Sequence, residues 1–329
     1  MKPIVPKKLQ PGAHIRVISP SRSMAMIGQE TQDIAKDYLG KLGFRVSYSE
    51  HISECDDFVS SSVESRLADL HEAFRDPEVD GILTTIGGWN CNQILSGIDF
   101  ELIRRNPKVI CGYSDITILL NAIYTQTGIV TYYGPHFSTF GALKANEFTH
   151  RHFFDCVARE EILVPGVSPH WSEDAWFLDQ ENRELQDNPG WVGLSDGSAS
   201  GTLLGGHLGT FTLLQGTAYR PSAEKVILFF EEDQSNGEQF ELEWDRCLEA
   251  VLLQVDLGQV VGLVMGRFPG FVSKEKMYEV IRRKPQLRGI PIVSGVDFGH
   301  TMPMVTLPIG GNAHLTVNGN EISFEIDLH

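Results

Sequence analysis

The segment Lys108-Val-Ile-Cys-Gly-Tyr-Ser-Asp-Ile-Thr-Ile-Leu-Leu-Asn-Ala-Ile123 is the most informative stretch of this chain. It predicts a short apolar strand, a tight turn that carries Ser114, and a helix with apolar residues at helical spacing that ends near Gly128. A serine on such a strand-to-helix turn projects from the sheet edge beside free backbone N–H groups, as in a nucleophile elbow. The same residues also fit an ordinary helix N-cap, where Ser and Asp are preferred without any catalytic role.

Strands and helices alternate on both sides of this turn in the first half of the chain. The residue pattern predicts strands at 14–19, 44–48, 79–86 and 109–111, with helices at 29–42 and from the capping box at 61–64 to residue 74. Such alternation is typical of a parallel, doubly wound α/β sheet, which binds ligands at the carboxyl ends of its strands.

The second half departs from this pattern. It begins with a Pro- and Trp-containing stretch, typical of a long structured loop, and continues with predicted strands and a helix. These elements are strands at 226–230 and 259–265, a helix near 242–254 and a strand-like ending at 291–328. We therefore expect an N-terminal α/β domain (1–165), a connector with a substrate loop (166–200) and a β-rich α/β C-terminal domain (201–329).

Composition excludes several classes of function. The formal net charge of −16 disfavours a nucleic acid polymer as partner, although a small nucleotide-like ligand remains compatible with it. No apolar run reaches the roughly 18 residues of a membrane span, and the N-terminus lacks the apolar core of a signal peptide. The five cysteines are widely spaced without a CxxC pair, which argues against a disulfide framework or a structural zinc site. We expect a cytoplasmic protein.

A serine nucleophile needs a histidine base, and the base needs a group that orients it. Three histidines have suitable surroundings. His300 lies in Val296-Asp-Phe-Gly-His-Thr-Met-Pro303, His207 lies between glycines in Gly205-Gly-His-Leu-Gly209, and His136 follows a Gly-Pro pair. The residues alone favour His300 about as much as the other two together, so the choice of base stays open at this point.

The orienting carboxylate and the oxyanion donors have weaker signals. Glu231 follows an apolar run directly, and a charge at the end of a buried strand is unfavourable unless it is paired. A solvated acidic turn that includes Glu232 and Asp233 explains this pattern about as well. Gly88, in a glycine pair after a predicted strand, and the amide of Asp115 offer backbone donors for an oxyanion, although paired glycines also occur in ordinary turns.

A series of short motifs runs in order through most of the chain. They are Ile18-Ser-Pro-Ser21, Gly87-Gly88, Gly112-Tyr-Ser-Asp-Ile-Thr117, Gly201-Thr-Leu-Leu-Gly-Gly206, Ile227-Leu-Phe-Phe-Glu231 and Phe298-Gly-His300. In these motifs the chain resembles the LD-carboxypeptidase family of serine peptidases, which includes the microcin-C immunity peptidases. An α/β-hydrolase shares the order Ser, Glu, His, but its Gly-x-Ser-x-Gly elbow is absent because Ile116 stands at the second glycine.

The resemblance implies a catalytic triad of Ser114, Glu231 and His300, with oxyanion amides at Asp115 and near Gly88. It also implies an N-terminal domain similar to class I glutamine amidotransferases, a β-rich C-terminal domain and a homodimer. No metal or organic cofactor is expected. The partner would be a small-molecule substrate, either a peptide or an aminoacyl-nucleotide.

Two branches of the family differ in substrate. One removes the terminal D-alanine of murein tetrapeptides, and the other cleaves the amide that joins an aminoacyl or peptidyl group to a phosphoramidated nucleotide. Gly87-Gly-Trp-Asn-Cys-Asn92, the tryptophan-bearing connector and Gly295-Val-Asp-Phe-Gly-His300 are similar to the second, immunity branch. We therefore expect microcin-C-type immunity activity, with murein carboxypeptidase activity and an inactive ligand-binding protein of the same fold as alternatives.

Three residues are expected to bind the substrate. Trp176, with Trp191 as second choice, offers an indole face for stacking a base, which contributes about 1–3 kcal/mol in comparable sites. The alternative is that both tryptophans pack the loop against the protein. His207 stands where related sequences often carry Asn, so a family role at this position transfers less directly.

Overall fold

The computed structural model describes residues 2–254 and 257–329. The strands of the described residues are β1 (His14–Ile18), β2 (Arg45–Tyr48), β3 (Gly81–Thr84), β4 (Val109–Gly112), β5 (Thr131–Tyr133), β6 (His170–Trp171), β7 (Gln186–Asp187), β8 (Val192–Ser195), β9 (Gly197–His207), β10 (Lys225–Glu231), β11 (Gln259–Gly266), β12 (Ile292–Val296), β13 (Leu307–Ile309), β14 (Asn312–Asn318) and β15 (Glu321–Leu328). The α-helices are α1 (Gln29–Lys41), α2 (Val63–Arg75), α3 (Phe100–Arg105), α4 (Thr117–Thr127), α5 (Glu147–Ala158), α6 (Leu208–Thr212), α7 (Phe240–Leu252) and α8 (Lys274–Arg282).

The first sheet has the strand order β13-β5-β4-β3-β1-β2. Strands β1 to β5 pair in parallel, whereas β13 is antiparallel to β5. The central strands β3 and β4 are buried along their whole length, as apolar strands of a sheet covered on both faces must be. The predicted parallel, doubly wound sheet is confirmed.

The second sheet has the strand order β15-β14-β9-β10-β11-β12-β8. Its centre, from β9 to β12, is parallel, and the flanking strands β14, β15 and β8 are antiparallel. This arrangement confirms the β-rich α/β character that was predicted for the C-terminal part.

Two helices of nine or more residues were not predicted, nor were the short helices α3 and α6. Helix α5 buries His150 and His152 together with Phe153, so its inward face is not apolar in the sequence. Burial lowers the pKa of both histidines to about 4, which keeps them neutral inside the protein. The other missed helix, α8, is strongly polar and buries only Met277 and Ile281.

The boundaries 1–165, 166–200 and 201–329 stay a prediction. Two strands pair across these boundaries. Strand β8 lies before residue 201 and pairs with β12, whereas β13 lies after residue 201 and pairs with β5 in the first sheet. Within the described residues, none of the helices combines the length and the apolar character that a bilayer span requires.

Helix α4, which follows Ser114, packs against β9 of the second sheet. The Asn121 side chain donates to the carbonyl of Gly205 at 2.9 Å, and the amide of His207 donates to the Thr117 hydroxyl at 3.0 Å. Gly206 has φ +130°, and a Cβ there would lie 2.7 Å from the Thr117 side chain. A glycine is therefore needed for this close approach, which brings the carboxyl ends of β4 and β10 to one seam.

Candidate active site

Ser114 stands two residues after β4, at the start of a single 3-10 turn that leads into α4. Its φ is +61°, a conformation that non-glycine residues adopt rarely and that costs about 1–3 kcal/mol. The residues that cap the turn and α4 are Tyr113 and Ile116, without side-chain hydrogen bonds, so Ser114 and Asp115 are not N-caps. The hydroxyl is thus presented as in a nucleophile elbow.

The hydroxyl of Ser114 hydrogen-bonds His300. Ser114 Oγ lies 3.1 Å from His300 Nε2, and His300 Nδ1 lies 2.8 Å from Glu231 Oε2. Because a carboxylate only accepts hydrogen bonds, Nδ1 carries the proton and Nε2 is free to accept from the serine. The three residues come from the ends of β4 and β10 and from the loop after β12, and the fold brings them together.

A second contact fixes His300 on Glu231. The backbone N–H of His300 donates to Glu231 Oε2 at 3.0 Å. Gly299 has φ +98°, and a Cβ at this position would lie 2.3 Å from the same oxygen. Glycine at 299 therefore lets the carboxylate approach the backbone beside the imidazole.

Tyr133 links the nucleophile to the carboxylate. Its hydroxyl donates to Glu231 Oε1 at 2.5 Å and accepts the backbone N–H of Ser114 at 3.2 Å. Burial alone would raise the pKa of Glu231, but His300 and the Tyr133 hydroxyl outweigh it and lower that pKa below its usual value. Tyr133 was not predicted as a site residue, because no local sequence pattern shows that the end of β5 faces β10.

Gly87, which precedes the expected oxyanion donor Gly88, lies against the Ser114 hydroxyl. A Cβ built on Gly87 would lie 2.8 Å from Ser114 Oγ, so the glycine pair lies directly against the serine. The carboxylate of Asp115 is buried and accepts hydrogen bonds from the Ser21 hydroxyl at 2.6 Å and from the Cys91 amide at 2.9 Å. Its side chain thus ties the elbow to the loops that follow β1 and β3.

The other candidate bases lie elsewhere in the site. His136 is buried, hydrogen-bonds the Thr84 hydroxyl at 2.8 Å and has a pKa well below its usual value because burial disfavours its charged form. Of the three candidate histidines, all in the described part of the chain, His300 is the one whose ring contacts the Ser114 hydroxyl.

His207 forms a second imidazole–carboxylate pair beside the triad. It is the parallel register partner of Glu231, its ring centroid lies 5.4 Å from that of His300, and its Nε2 lies 2.7 Å from Glu232 Oε1. Burial opposes its charged form, but Glu232, together with Glu231 and Asp233, raises the pKa of His207 to about 9. At neutral pH this cluster therefore contains a charged imidazole beside the triad.

The two tryptophans have different surroundings. Trp191 packs against the hydrophobic core, as the packing alternative requires. Trp176 is half-buried in a turn, and its ring contacts Phe177, which is itself exposed. Among the described residues, no ring contact joins either tryptophan to His300.

Models of one known protein family match both halves of the chain. The family model of the LD-carboxypeptidase N-terminal domain matches residues 15–134, and that of the C-terminal domain matches residues 200–315. The chain belongs to the LD-carboxypeptidase family. The resemblance in the sequence motifs is therefore confirmed.

Individual members of the family align over nearly the full length. The chain is 45% identical to YocD of Bacillus subtilis, which bears a carboxypeptidase name, over 98% of this chain and 99% of the relative. It is 29% identical to the microcin C7 self-immunity protein MccF of Escherichia coli, over 87% of this chain and 86% of MccF.

Solved structures of LD-carboxypeptidase relatives share the fold. An MccF-like protein from Bacillus anthracis superposes with a TM-score of 0.97 at 46% identity, covering 99% of this chain and 100% of that one. MccF in complex with glutamyl sulfamoyl guanosine superposes with a TM-score of 0.87 at 26% identity, covering 98% of each chain.

Proposed function

We propose that this protein is a serine hydrolase that cleaves an amide bond with Ser114 as nucleophile, His300 as base and Glu231 as the group that orients the base. The observation that carries the proposal is the unbroken chain of contacts from hydroxyl to imidazole to carboxylate, 3.1 and 2.8 Å long. Membership of a family with named carboxypeptidases supports the reaction class.

In the proposed mechanism, His300 Nε2 takes the proton of Ser114 as its Oγ attacks the substrate carbonyl. The imidazolium then protonates the leaving amine, and a water molecule activated by the same nitrogen releases the acyl group. Glu231 stays ionised throughout, because its lowered pKa lies below the neutral range. It therefore stabilises the imidazolium that forms in each half of the reaction.

The amides of Gly88 and Asp115 would hold the oxyanion of the tetrahedral intermediate. Gly88 is tightly enclosed, because a Cβ there would lie 2.2 Å from Ser21 Oγ and 3.0 Å from Arg22 Cγ. We expect Gly88→Ala to displace this amide and to lower kcat by roughly 10²–10³, as loss of one oxyanion donor does. KM should change less than kcat, because the donor acts mainly on the transition state.

Steady-state kinetics on Gly88→Ala test this role against Gly40→Ala as matched control. Gly40 lies in α1 with no atom within 4 Å of an added Cβ, so its substitution leaves the site intact. A Gly88→Ala protein with unchanged kcat would remove Gly88 from the oxyanion hole.

For the substrate, we propose aminoacyl- or peptidyl-nucleotide compounds of the microcin C type, so that hydrolysis detoxifies them. Support comes from the superposition on MccF, whose complexes contain glutamyl sulfamoyl guanosine and aspartyl sulfamoyl adenosine. In this proposal Trp176 stacks the base, Trp191 supports the loop, and the charged His207 contacts the acyl part beside His300.

Trp176→Ala tests the nucleotide proposal. We expect roughly a 5- to 100-fold loss of kcat/KM for an aminoacyl sulfamoyl adenosine, because a stacked base contributes about 1–3 kcal/mol. Hydrolysis of a murein tetrapeptide, which has no base, should change little. Leu178→Ala, two positions along the same loop at a residue that is 79% exposed, is the matched control. An equal loss on both substrates would mean that Trp176 only packs the loop.

The second candidate is a murein tetrapeptide carboxypeptidase. It is favoured by 30% identity over 94% of this chain to a Bacillus subtilis protein named as a murein peptide carboxypeptidase. Mass spectrometry of products from both substrates decides between the candidates. Tight binding without turnover of either substrate would favour an inactive ligand-binding protein.

The homodimer and the cytoplasmic location belong to the same proposal. The resemblance to the family implies the former, and the five widely spaced cysteines support the latter. Light scattering on the purified protein measures the oligomeric state directly.

A further inference from the structure

Arg22 lies beside the glycine pair of the proposed oxyanion hole. It lies in the loop after β1, its backbone N–H donates to the Gly87 carbonyl at 3.4 Å, and its own carbonyl accepts from the Thr85 hydroxyl at 3.2 Å. Its Cγ would be 3.0 Å from a Cβ on Gly88. The side chain is therefore rooted next to the backbone that flanks Ser114.

The guanidinium of Arg22 is partly buried and has free donors. Within residues 2–254 and 257–329, its Nε is buried without a hydrogen-bond partner, and no ion pair joins the group to a carboxylate. The other inward-facing arginines are held differently: Arg66 donates to Asn90 and Gln93, and Arg267 pairs with Asp297. Burying an N–H donor of a cation without an acceptor is unfavourable, which favours an acceptor for the Arg22 guanidinium from outside the protein.

Trp89 orients this cation. The guanidinium carbon lies 4.4 Å from the centroid of the Trp89 ring, and the tryptophan is 70% exposed. Stacking occupies the flat face of the guanidinium and leaves its edge, with the N–H groups in a fork, available to an acceptor. Such a fork matches the two oxygens of a carboxylate or phosphoryl group.

The acidic surroundings favour a further cation, in addition to the charged His207, for binding an anionic substrate. The chain has a net charge of −16, and the site itself holds the carboxylates of Glu231, Glu232 and Asp233. Burial lowers the pKa of Arg22 while Asp115 and Asp233 oppose that effect, and an arginine remains charged at neutral pH. Without a cation at the mouth of the site, these carboxylates would repel an anion.

We propose that Arg22, stacked on Trp89, binds an anionic group of the substrate next to the scissile amide. The chemistry is that of a planar or tetrahedral oxyanion, namely the terminal carboxylate of a peptide or the phosphoryl group of a nucleotide. This inference rests on the proposed function for the identity of the reacting bond, but anion binding can be measured without turnover.

The test is equilibrium binding, by calorimetry, of two matched pairs of probes. A murein tetrapeptide is compared with its C-terminal amide, using Ser114→Ala protein so that neither is hydrolysed, and AMP is compared with adenosine. We expect Arg22→Met to weaken the anionic member of at least one pair roughly 10- to 100-fold, as loss of a charge-assisted hydrogen bond does, and to leave the neutral member unchanged. The pair that responds identifies the source of the anion.

Two further variants control for charge and folding. Arg22→Lys keeps the charge and should retain part of the preference, and Arg104→Met removes one charge from the exposed surface of α3 and should have no effect. Thermal unfolding confirms that each variant is folded. Equal weakening of anionic and neutral probes, or an unchanged preference in both pairs, would overturn the inference. Failure of the hydrolase proposal would appear instead as turnover by Ser114→Ala.

Discussion

Replacing Ser114 by alanine should lower kcat by roughly 10⁴–10⁶, the range found when a serine nucleophile is removed from a triad enzyme. The reason is that the acyl-enzyme can no longer form, while the donors near Gly88 and Asp115 keep only a residual effect on water attack. Substrate binding should remain near normal, because the substitution removes one oxygen. Turnover is measured on both candidate substrates, and binding by calorimetry.

Ser323→Ala, an identical substitution at an exposed serine of β15, is the matched control and should keep full activity. The Ser114→Ala variant should keep the positive-φ strain, because alanine also has a Cβ and its backbone still follows the elbow. Near-normal turnover by a folded Ser114→Ala protein would exclude acyl-enzyme chemistry at this position.

Replacing Glu231 by glutamine is expected to lower kcat by roughly 10³–10⁴, with little change in KM. A carboxamide can donate to His300 Nδ1, which would place the imidazole proton on Nε2 and remove its capacity to accept from Ser114. The corresponding carboxylate-to-amide change in a Ser-His-Asp protease costs about 10⁴ in kcat. Steady-state kinetics on the better substrate measures the effect.

The same variant has a consequence for stability at different pH. The pKa of Glu231 in the folded protein is lowered, so its contribution to stability is present above the unfolded pKa and disappears as pH falls through the folded pKa. The difference in melting temperature between wild type and Glu231→Gln should therefore shrink in acid. Glu238→Gln, at an exposed site, is the control. For the kinetic prediction, the contradicting outcome is a folded Glu231→Gln protein that retains most of its kcat. That result would show that His300 needs no carboxylate.

Local sequence patterns predicted the elements that carry the site. Helix α4 was expected from its apolar spacing and ends at Gly128, which has φ +78° as a left-handed C-cap. The strands near residues 81, 109, 226 and 259 were also predicted, because apolar runs between turn residues report burial directly. Helix α5 escaped prediction, because its buried face contains histidines that are held neutral by the fold.

The sequence by itself determined the parallel α/β order, the elbow at Ser114 and, through its motifs, the family, because these depend on residues close together along the chain. The tertiary structure decided which residues meet. His300 lies 186 positions from Ser114 and 69 from Glu231, and Tyr133 bridges both of those partners. Likewise, only the folded chain stacks the Arg22 guanidinium on Trp89 and, within the described residues, leaves its Nε without an acceptor, whereas Arg267 is paired with Asp297. The physical reason is that such contacts depend on how the two sheets pack at a shared seam. Periodicity along one strand or helix contains no information about the distance between residues on different sheets.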